Sequence, residues 1–431
     1  MNFGKKTILC VMTFLPLAAA ALSVEGAERL TLDRAVRIAL ERNLDVLSAR
    51  TEREKAEGVL ISARSGLYPS LAIDASSTRR EDTGGAPERA NGAAITLSQT
   101  LYAGGTLRAG ERQALVGSRK AEQELEYTQE NVAKAVCESW YGFLQKEADL
   151  RTANEALAYY TTSWTDFQKR VELGLSTRLE LARADQQRVN ARADLISARN
   201  ELAKAKVSLL TLLRIDPTTE VEIDGTLETV AVEGDAKRSL EKALSTRPDL
   251  QALVSEEEVR KEAVVVAAGG MKPTISLSAS YQFNDSSSSL AANNANEWTA
   301  TLSVGIPIYD GGYAKGRVRS AKASQEQALQ AVEKKKDALG EETLNAWMTL
   351  VSSLETAEAA KKNVELARES LRLAEVGYRE GVNTQLDVLQ ARTSLTEAQR
   401  KLSSALKEHN LAFVALRMAE GTLASVFEND R

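Results

Sequence analysis

Few residues in this 431-residue chain are equipped for covalent or metal chemistry. His409 is the single histidine and lies in a charged helical stretch, Lys407-Glu408-His409-Asn410, which reads as a solvated face. Of the two cysteines, Cys10 falls in an N-terminal apolar run and Cys137 sits among apolar neighbours in a helical tract, where packing is its expected role. A catalytic triad needs a histidine base beside a nucleophile, and a structural zinc needs clustered thiolates or imidazoles. Neither set can be assembled here. No glycine-rich phosphate loop follows a strand, and a net charge of −5 gives no electrostatic case for nucleic acid. The sequence therefore argues against an enzyme and calls for no cofactor or metal. What remains is fixed charge in a repeated setting. Glu180 and Asp387 are both acidic, and each stands six residues after a glycine, Gly174 and Gly381.

That setting is written twice. Gly174-Leu175-Ser176-Thr177-Arg178-Leu179-Glu180-Leu181 returns 207 residues later as Gly381-Val382-Asn383-Thr384-Gln385-Leu386-Asp387-Val388. Leu101-Tyr102-Ala103-Gly104-Gly105 returns as Ile308-Tyr309-Asp310-Gly311-Gly312 at the same offset, and Trp140 pairs with Trp347. The period is too long for a solenoid of small units and indicates a duplicated half-molecule. The expected division is a first repeat over 22–238, a second over 239–421 and a tail over 422–431.

The elements that position these residues follow from proline and hydrophobic spacing. None of the seven prolines lies between 88 and 216 or after 307. Proline costs about 3 kcal/mol in a helix interior, so these tracts are free to be long helices. Val136, Phe143, Leu150, Leu157, Trp164 and Val171 recur every seven residues, matched by Thr343, Leu350, Ala357, Val364, Leu371 and Tyr378. A sustained heptad signals helices packed side by side as coiled coils. Each tract breaks once at its glycine, which can end a helix in the left-handed conformation, before a residue able to cap the next one. Two helical hairpins are expected, over about 106–213 and 313–419, with a linker over 214–238 and the glycines at the far tips.

Between Pro69 and Tyr102, and again between Pro273 and Tyr309, the period changes to two. Ile275, Leu277, Ala279, Tyr281 and Phe283 alternate with small polar residues, as do Trp298, Ala300, Leu302, Val304, Ile306 and Ile308. Strands are expected at about 70–80, 93–102, 274–284 and 297–308, joined by polar turns. Aromatic residues near their ends (Tyr68, Tyr102, Tyr281, Phe283, Trp298, Tyr309) suit interfacial girdles, and strands of about ten residues with one apolar face match transmembrane β-strands. Four strands cannot close alone in lipid, where open edges are forbidden. A barrel shared by three chains would hold twelve; two chains would give a narrow eight-stranded barrel with a filled interior.

The N-terminus reads as an export signal over 1–21. Lys5 and Lys6 precede an apolar run from Ile8 to Leu22, and small residues Ala18 to Ala21 offer a cleavage site. The run is shorter than the roughly 20 apolar residues of a spanning helix.

Taken in order and in duplicate, the Leu32–Asn43 helix, the Leu67-Tyr68-Pro69-Ser70-Leu71 entry to the strands, their Tyr-Ala-Gly-Gly exit and the Gly381–Ala391 segment resemble the TolC-type outer membrane efflux family. The resemblance covers essentially the whole mature chain. It implies an α+β membrane protein in which a duplicated helix-strand-strand-helix-helix unit builds a trimeric outer-membrane β-barrel, continued by a long α-helical coiled-coil tunnel in the periplasm. It implies an exit duct of a tripartite efflux or type I secretion system. The partners would be two further copies of the chain, a periplasmic adaptor (membrane fusion protein), an inner-membrane pump of RND or ABC type, and outer-membrane lipid. A periplasmic coiled-coil adaptor or tether is the alternative.

By the same resemblance Tyr378 and Glu180 fall where family members link neighbouring hairpins to hold the tunnel shut, with Asn383 at the family's basic partner position. Asp387 would line the constriction as a ring of three carboxylates, with Gln390 where a second acidic residue is often found. The tips, Gly174, Leu175, Ser176 and Thr177 in one hairpin and Gly381, Val382 and Thr384 in the other, would meet the adaptor.

Overall fold

The computed structural model describes residues 28–80, 88–232, 234–286 and 296–428. The proposed signal segment, much of the polar turns at 81–87 and 287–295, and the last three residues lie outside the described residues.

A short strand β1 (Glu28–Leu30) leads into helices α1 (Leu32–Arg42) and α2 (Leu44–Ser65), then strands β2 (Ser70–Arg80) and β3 (Glu88–Ala103). The first hairpin follows as α3 (Thr106–Glu172) and α4 (Arg178–Leu212). The linker carries strand β4 (Val221–Ile223), and the pattern restarts with α5 (Ala236–Thr246), α6 (Pro248–Gly269), β5 (Thr274–Ser286) and β6 (Glu297–Gly305). The second hairpin is α7 (Tyr313–Arg379) and α8 (Gln385–Ala419), and α9 (Leu423–Glu428) closes the described chain. The hairpins match in length: α3 and α7 each have 67 residues, α4 and α8 each 35. A helix of that longer length rises about 100 Å at 1.5 Å per residue. The double glycine before each long helix has a local cause. Gly105 and Gly312 are their N-caps at φ +88°, a conformation L side chains rarely adopt.

Four strands form one antiparallel sheet in the order β2-β3-β5-β6, so the repeats join through β3 and β5. Register aligns the apolar alternation across all four: Ile73 faces Ile95, Ile95 faces Tyr281, and Tyr281 faces Trp298. Leu71, Ile73, Trp298 and Leu302 are more than 60% exposed, so among the described residues this face is uncovered. Among the described residues β2 and β6 each have a single sheet neighbour, which leaves two open edges.

The main core lies where the repeats meet mid-molecule. Val36 and Ala39 of α1, Trp140 of α3, Leu209 of α4 and Leu423 and Phe427 of α9 bury together. Residues Leu423–Glu428, read from sequence as tail, thus dock as a helix; its first N–H groups, on Leu423 and Ala424, donate to the Glu130 carboxylate at 3.0 and 3.2 Å. Cys137 is fully buried in this core, and burial pushes its thiol up to about 12, in keeping with a packing role.

Two sequence readings need correction. His409 is not on a solvated face: it is 0% exposed. The linker beyond β4 crosses α8, and Val230 N–H donates to His409 Nε2 at 3.1 Å. Nε2 is also 3.0 Å from the Val230 carbonyl oxygen, and Nδ1 lies 3.1 Å from the Ser353 hydroxyl. His409 thereby ties the linker to both arms of the second hairpin. The heptad rows also part company. Thr343, Leu350, Ala357, Val364 and Leu371 are buried along α7, whereas in α3 Leu150, Leu157, Trp164 and Val171 are half-buried. The buried row there is Ala153, Tyr160 and Phe167, because α3 packs against α8 as well as its own return arm α4.

Candidate functional site

The two hairpin tips are built by the same local chemistry. Each long helix ends at a left-handed glycine, Gly174 at φ +73° and Gly381 at φ +79°. Leu175 N–H then reaches back to the Arg170 carbonyl at 2.7 Å, and Val382 N–H to that of Gly377 at 2.8 Å, satisfying carbonyls the helix end would orphan. Thr177 and Thr384 start the return helices in reciprocal capping boxes. In the first, Glu180 accepts from Thr177 N–H at 2.9 Å and from the Ser176 hydroxyl at 2.7 Å. In the second, Asp387 accepts from Thr384 N–H at 2.8 Å and from its hydroxyl at 2.7 Å. These bonds favour the ionised forms: the Thr177 N–H holds Glu180 below the usual carboxylate range, and the Thr384 hydroxyl does so for Asp387. The acidity shared by the two positions therefore has a capping cause in both hairpins.

At the outer knuckle, Leu175 and Val382 are 74% and 79% exposed, and Gly174, Thr177, Gly381 and Thr384 are exposed beside them, with Ser176 half-buried. An apolar side chain at each tip is held out by a turn whose backbone groups are already satisfied.

Between the hairpins the structure brings together Tyr378 and Glu180. Gln385, 6% exposed at the start of α8, donates Nε2 to the Glu180 carbonyl at 3.1 Å. Tyr378 packs on Phe167 with ring centroids 6.1 Å apart, and Arg170 lies 5.5 Å over the Tyr378 ring. Burial and the nearby Glu180 charge push the Tyr378 phenol upward. Asn383 does not join them. Its amide folds back over its own hairpin, Nδ2 donating to the Ala374 carbonyl at 3.4 Å, and a Cβ on Gly377 would strike it. The cation beside Tyr378 is Arg170, which spacing did not single out. A signal was present, since Asp166 and Arg170 are one helical turn apart and pair at 3.5 Å. Phe167, the heptad neighbour of Tyr160, belongs to a buried row three residues beyond the Leu150, Leu157 and Trp164 spacing.

Asp387, Gln390 and Asn383 instead line an open groove between α7 and α8, with Ala374 and Ala391 in its floor. Asp387 and Gln390 are exposed, so the carboxylates of three such chains would be free to face a common axis.

A family model described as outer membrane efflux protein matches residues 35–213 and 239–422, one stretch in each repeat. The outer membrane protein TolC of Vibrio cholerae is 24% identical over 395 residues, covering 90% of this chain and 89% of that protein. The outer membrane efflux protein BepC of Brucella suis is 25% identical over 429 residues, covering 95% and 89%. Among solved structures, the Campylobacter jejuni CmeC outer membrane channel superposes with a TM-score of 0.81 at 17% identity, covering 90% of this chain and 85% of that one, a likeness of fold.

Proposed function

This chain belongs to the outer membrane efflux protein family, and from that membership we propose that three copies form one continuous duct coupled to a periplasmic adaptor and an inner-membrane pump. The protein is an outer-membrane channel of TolC type, an exit duct for efflux or type I secretion. One observation carries the trimer. A four-stranded sheet with an uncovered apolar face and two open edges leaves backbone N–H and C=O groups without partners in lipid, which is tolerated only if the edges pair with another chain. Three sheets close as twelve strands, wide enough to conduct, whereas two close as eight with a filled lumen. The two repeats, 22–238 and 239–421, each supply one strand pair to the barrel and one hairpin to the tunnel.

The adaptor reading rests on the tips, whose exposed Leu175 and Val382 lie at the ends of helices long enough to carry them far from the sheet. The gate reading rests on Tyr378, Arg170 and Glu180 joining the two hairpins, and the constriction reading on the exposed Asp387.

Mass measurement of the detergent-solubilised protein, with unheated gel electrophoresis, tests the assembly. A heat-sensitive trimer is expected. A stable monomer with intact β content would end this reading.

A further inference from the structure

The inter-hairpin junction holds a cavity of about 240 Å³ beside the contact of Tyr378 with Arg170. Its walls come from α3 on one side and from α7 and α8 on the other, so it bridges both hairpins. Three aromatic rings line it: Tyr159, Phe167 and Tyr378. Gln385 also lines it, is buried at 6% exposure and uses Nε2 on the Glu180 carbonyl, but its Oε1 has no hydrogen-bond partner among the described residues. A buried acceptor without a donor costs about 1–3 kcal/mol, which a ligand N–H can recover.

Two acids and two bases line the same space, and they are not equivalent. Asp166 and Arg170 pair with each other, and Arg170 also covers Tyr378. Arg379 is exposed and turns Nε toward the Glu375 carbonyl at 3.4 Å. Half-buried Glu375 sits near the Tyr159 side chain and has no ion pair among the described residues. The cavity therefore offers aromatic faces, one carboxylate without a cationic partner and one amide oxygen without a donor. Aromatic faces and carboxylates both attract cations.

We propose that this cavity binds a small aromatic cation bearing N–H donors, its ring against Phe167 and Tyr378, its charge on Glu375 and one N–H on Gln385 Oε1. The volume, just below that of pockets holding drug-sized ligands (about 300–1,000 Å³), limits the occupant to a single ring with a short charged group. Such a molecule touches both hairpins at once and stabilises their packed arrangement. Binding is read on the isolated channel protein, so it stands apart from adaptor docking and pump coupling.

Benzamidine is the probe, titrated calorimetrically into the detergent-solubilised protein, with benzoate as the ring of opposite charge. Saturable benzamidine binding is expected, weakened about tenfold in Glu375→Gln and in Gln385→Leu, each removing one polar contact. Because Gln385→Leu also severs the bond to Glu180, Phe167→Leu supplies an independent apolar test and should weaken binding without touching either polar partner. Benzoate should not displace benzamidine. Unsaturable binding, equal affinity in Glu375→Gln and Phe167→Leu, or benzoate binding as well as benzamidine would overturn the assignment.

Discussion

Gln385 and Glu180, on different hairpins and 205 residues apart, are joined at 3.1 Å by an amide-to-carbonyl hydrogen bond at the base of the tips. The bond uses the Glu180 backbone and leaves its carboxylate to the Thr177 cap, so the first turns of both return helices are coupled without drawing on charge. Any separation of the hairpins at this end must break it and part Tyr378 from Phe167 and Arg170.

That arrangement gives the first prediction. Tyr378→Phe combined with Glu180→Ala is expected to raise single-channel conductance in planar bilayers, and adding Arg170→Ala should raise it further, because the cation over Tyr378 is then lost as well. The Asn383→Ala control should leave conductance near the parent value, since Asn383 bonds within its own hairpin. Parental conductance in the triple variant would remove the gate assignment.

Asp387 carries the second. A ring of three carboxylates concentrates cations and repels anions, because like charges reinforce one field beside low-dielectric walls. Asp387→Asn keeps an oxygen for the Thr384 cap while removing the charge. Reversal-potential measurements should show lost cation preference, and multivalent cations added from the periplasmic side should block less. If block is as tight as in the parent, Asp387 does not line the narrowest point.

The third concerns the tips. Gly174 and Gly381 sit at φ +73° and +79° with open space around each Cα, so a side chain there meets conformational strain rather than a clash. That strain is about 1–2 kcal/mol per position, small enough for trimers to persist while the knuckle beside Leu175 and Val382 is reshaped. Gly174→Leu with Gly381→Leu should abolish export in cells yet leave heat-sensitive oligomers in the outer membrane. Unchanged export would count against docking at the tips.

A fourth follows from the buried ion cluster at the start of α6. Arg247 is 2% exposed and holds Asp249 through two bonds of 2.9 and 2.7 Å, with Lys335 on the same carboxylate at 2.7 Å. Burial opposes the charge on Asp249, but the bonds from Arg247 and Lys335 outweigh it and hold its pKa at about 2. The folded value lies below the unfolded one, so this group's stabilisation is present above about pH 4 and is lost as pH falls toward 2. Asp249→Ala should lower thermal stability at pH 7 by about 3 kcal/mol, the order expected when a buried pair loses one partner, and flatten the acid limb of the stability profile. An unchanged acid limb in Asp249→Ala would show that other carboxylates set it.

The periodicity of the chain made much of the architecture legible. Proline-free heptad tracts, a glycine followed by a capping threonine, and alternation over four short segments are local signals, and the 207-residue offset repeats each of them. The family motifs likewise named the residues at the tips, because turn geometry is settled within a few residues of Gly174 and Gly381. The misreadings were of another kind. His409 looks solvated beside Lys407 and Glu408, yet the linker residue Val230 covers it from 179 positions away. Arg170 looks like one more surface charge on α3 until Tyr378 is placed beneath it.

By itself, then, the sequence determined which segments are helix, strand and turn, and that the strands need partners to close, since backbone hydrogen bonding and hydrophobic period act over short stretches. Only the tertiary structure decided which helix faces meet. It set the buried row of α3 at Ala153, Tyr160 and Phe167, placed Arg170 rather than Asn383 beside Tyr378, and left Gln385 Oε1 without a donor in a cavity shared by both hairpins. The physical reason is that a helix with several neighbours can present more than one apolar stripe. Which stripe is buried depends on the packing of side chains far apart in the chain, a property no heptad carries on its own.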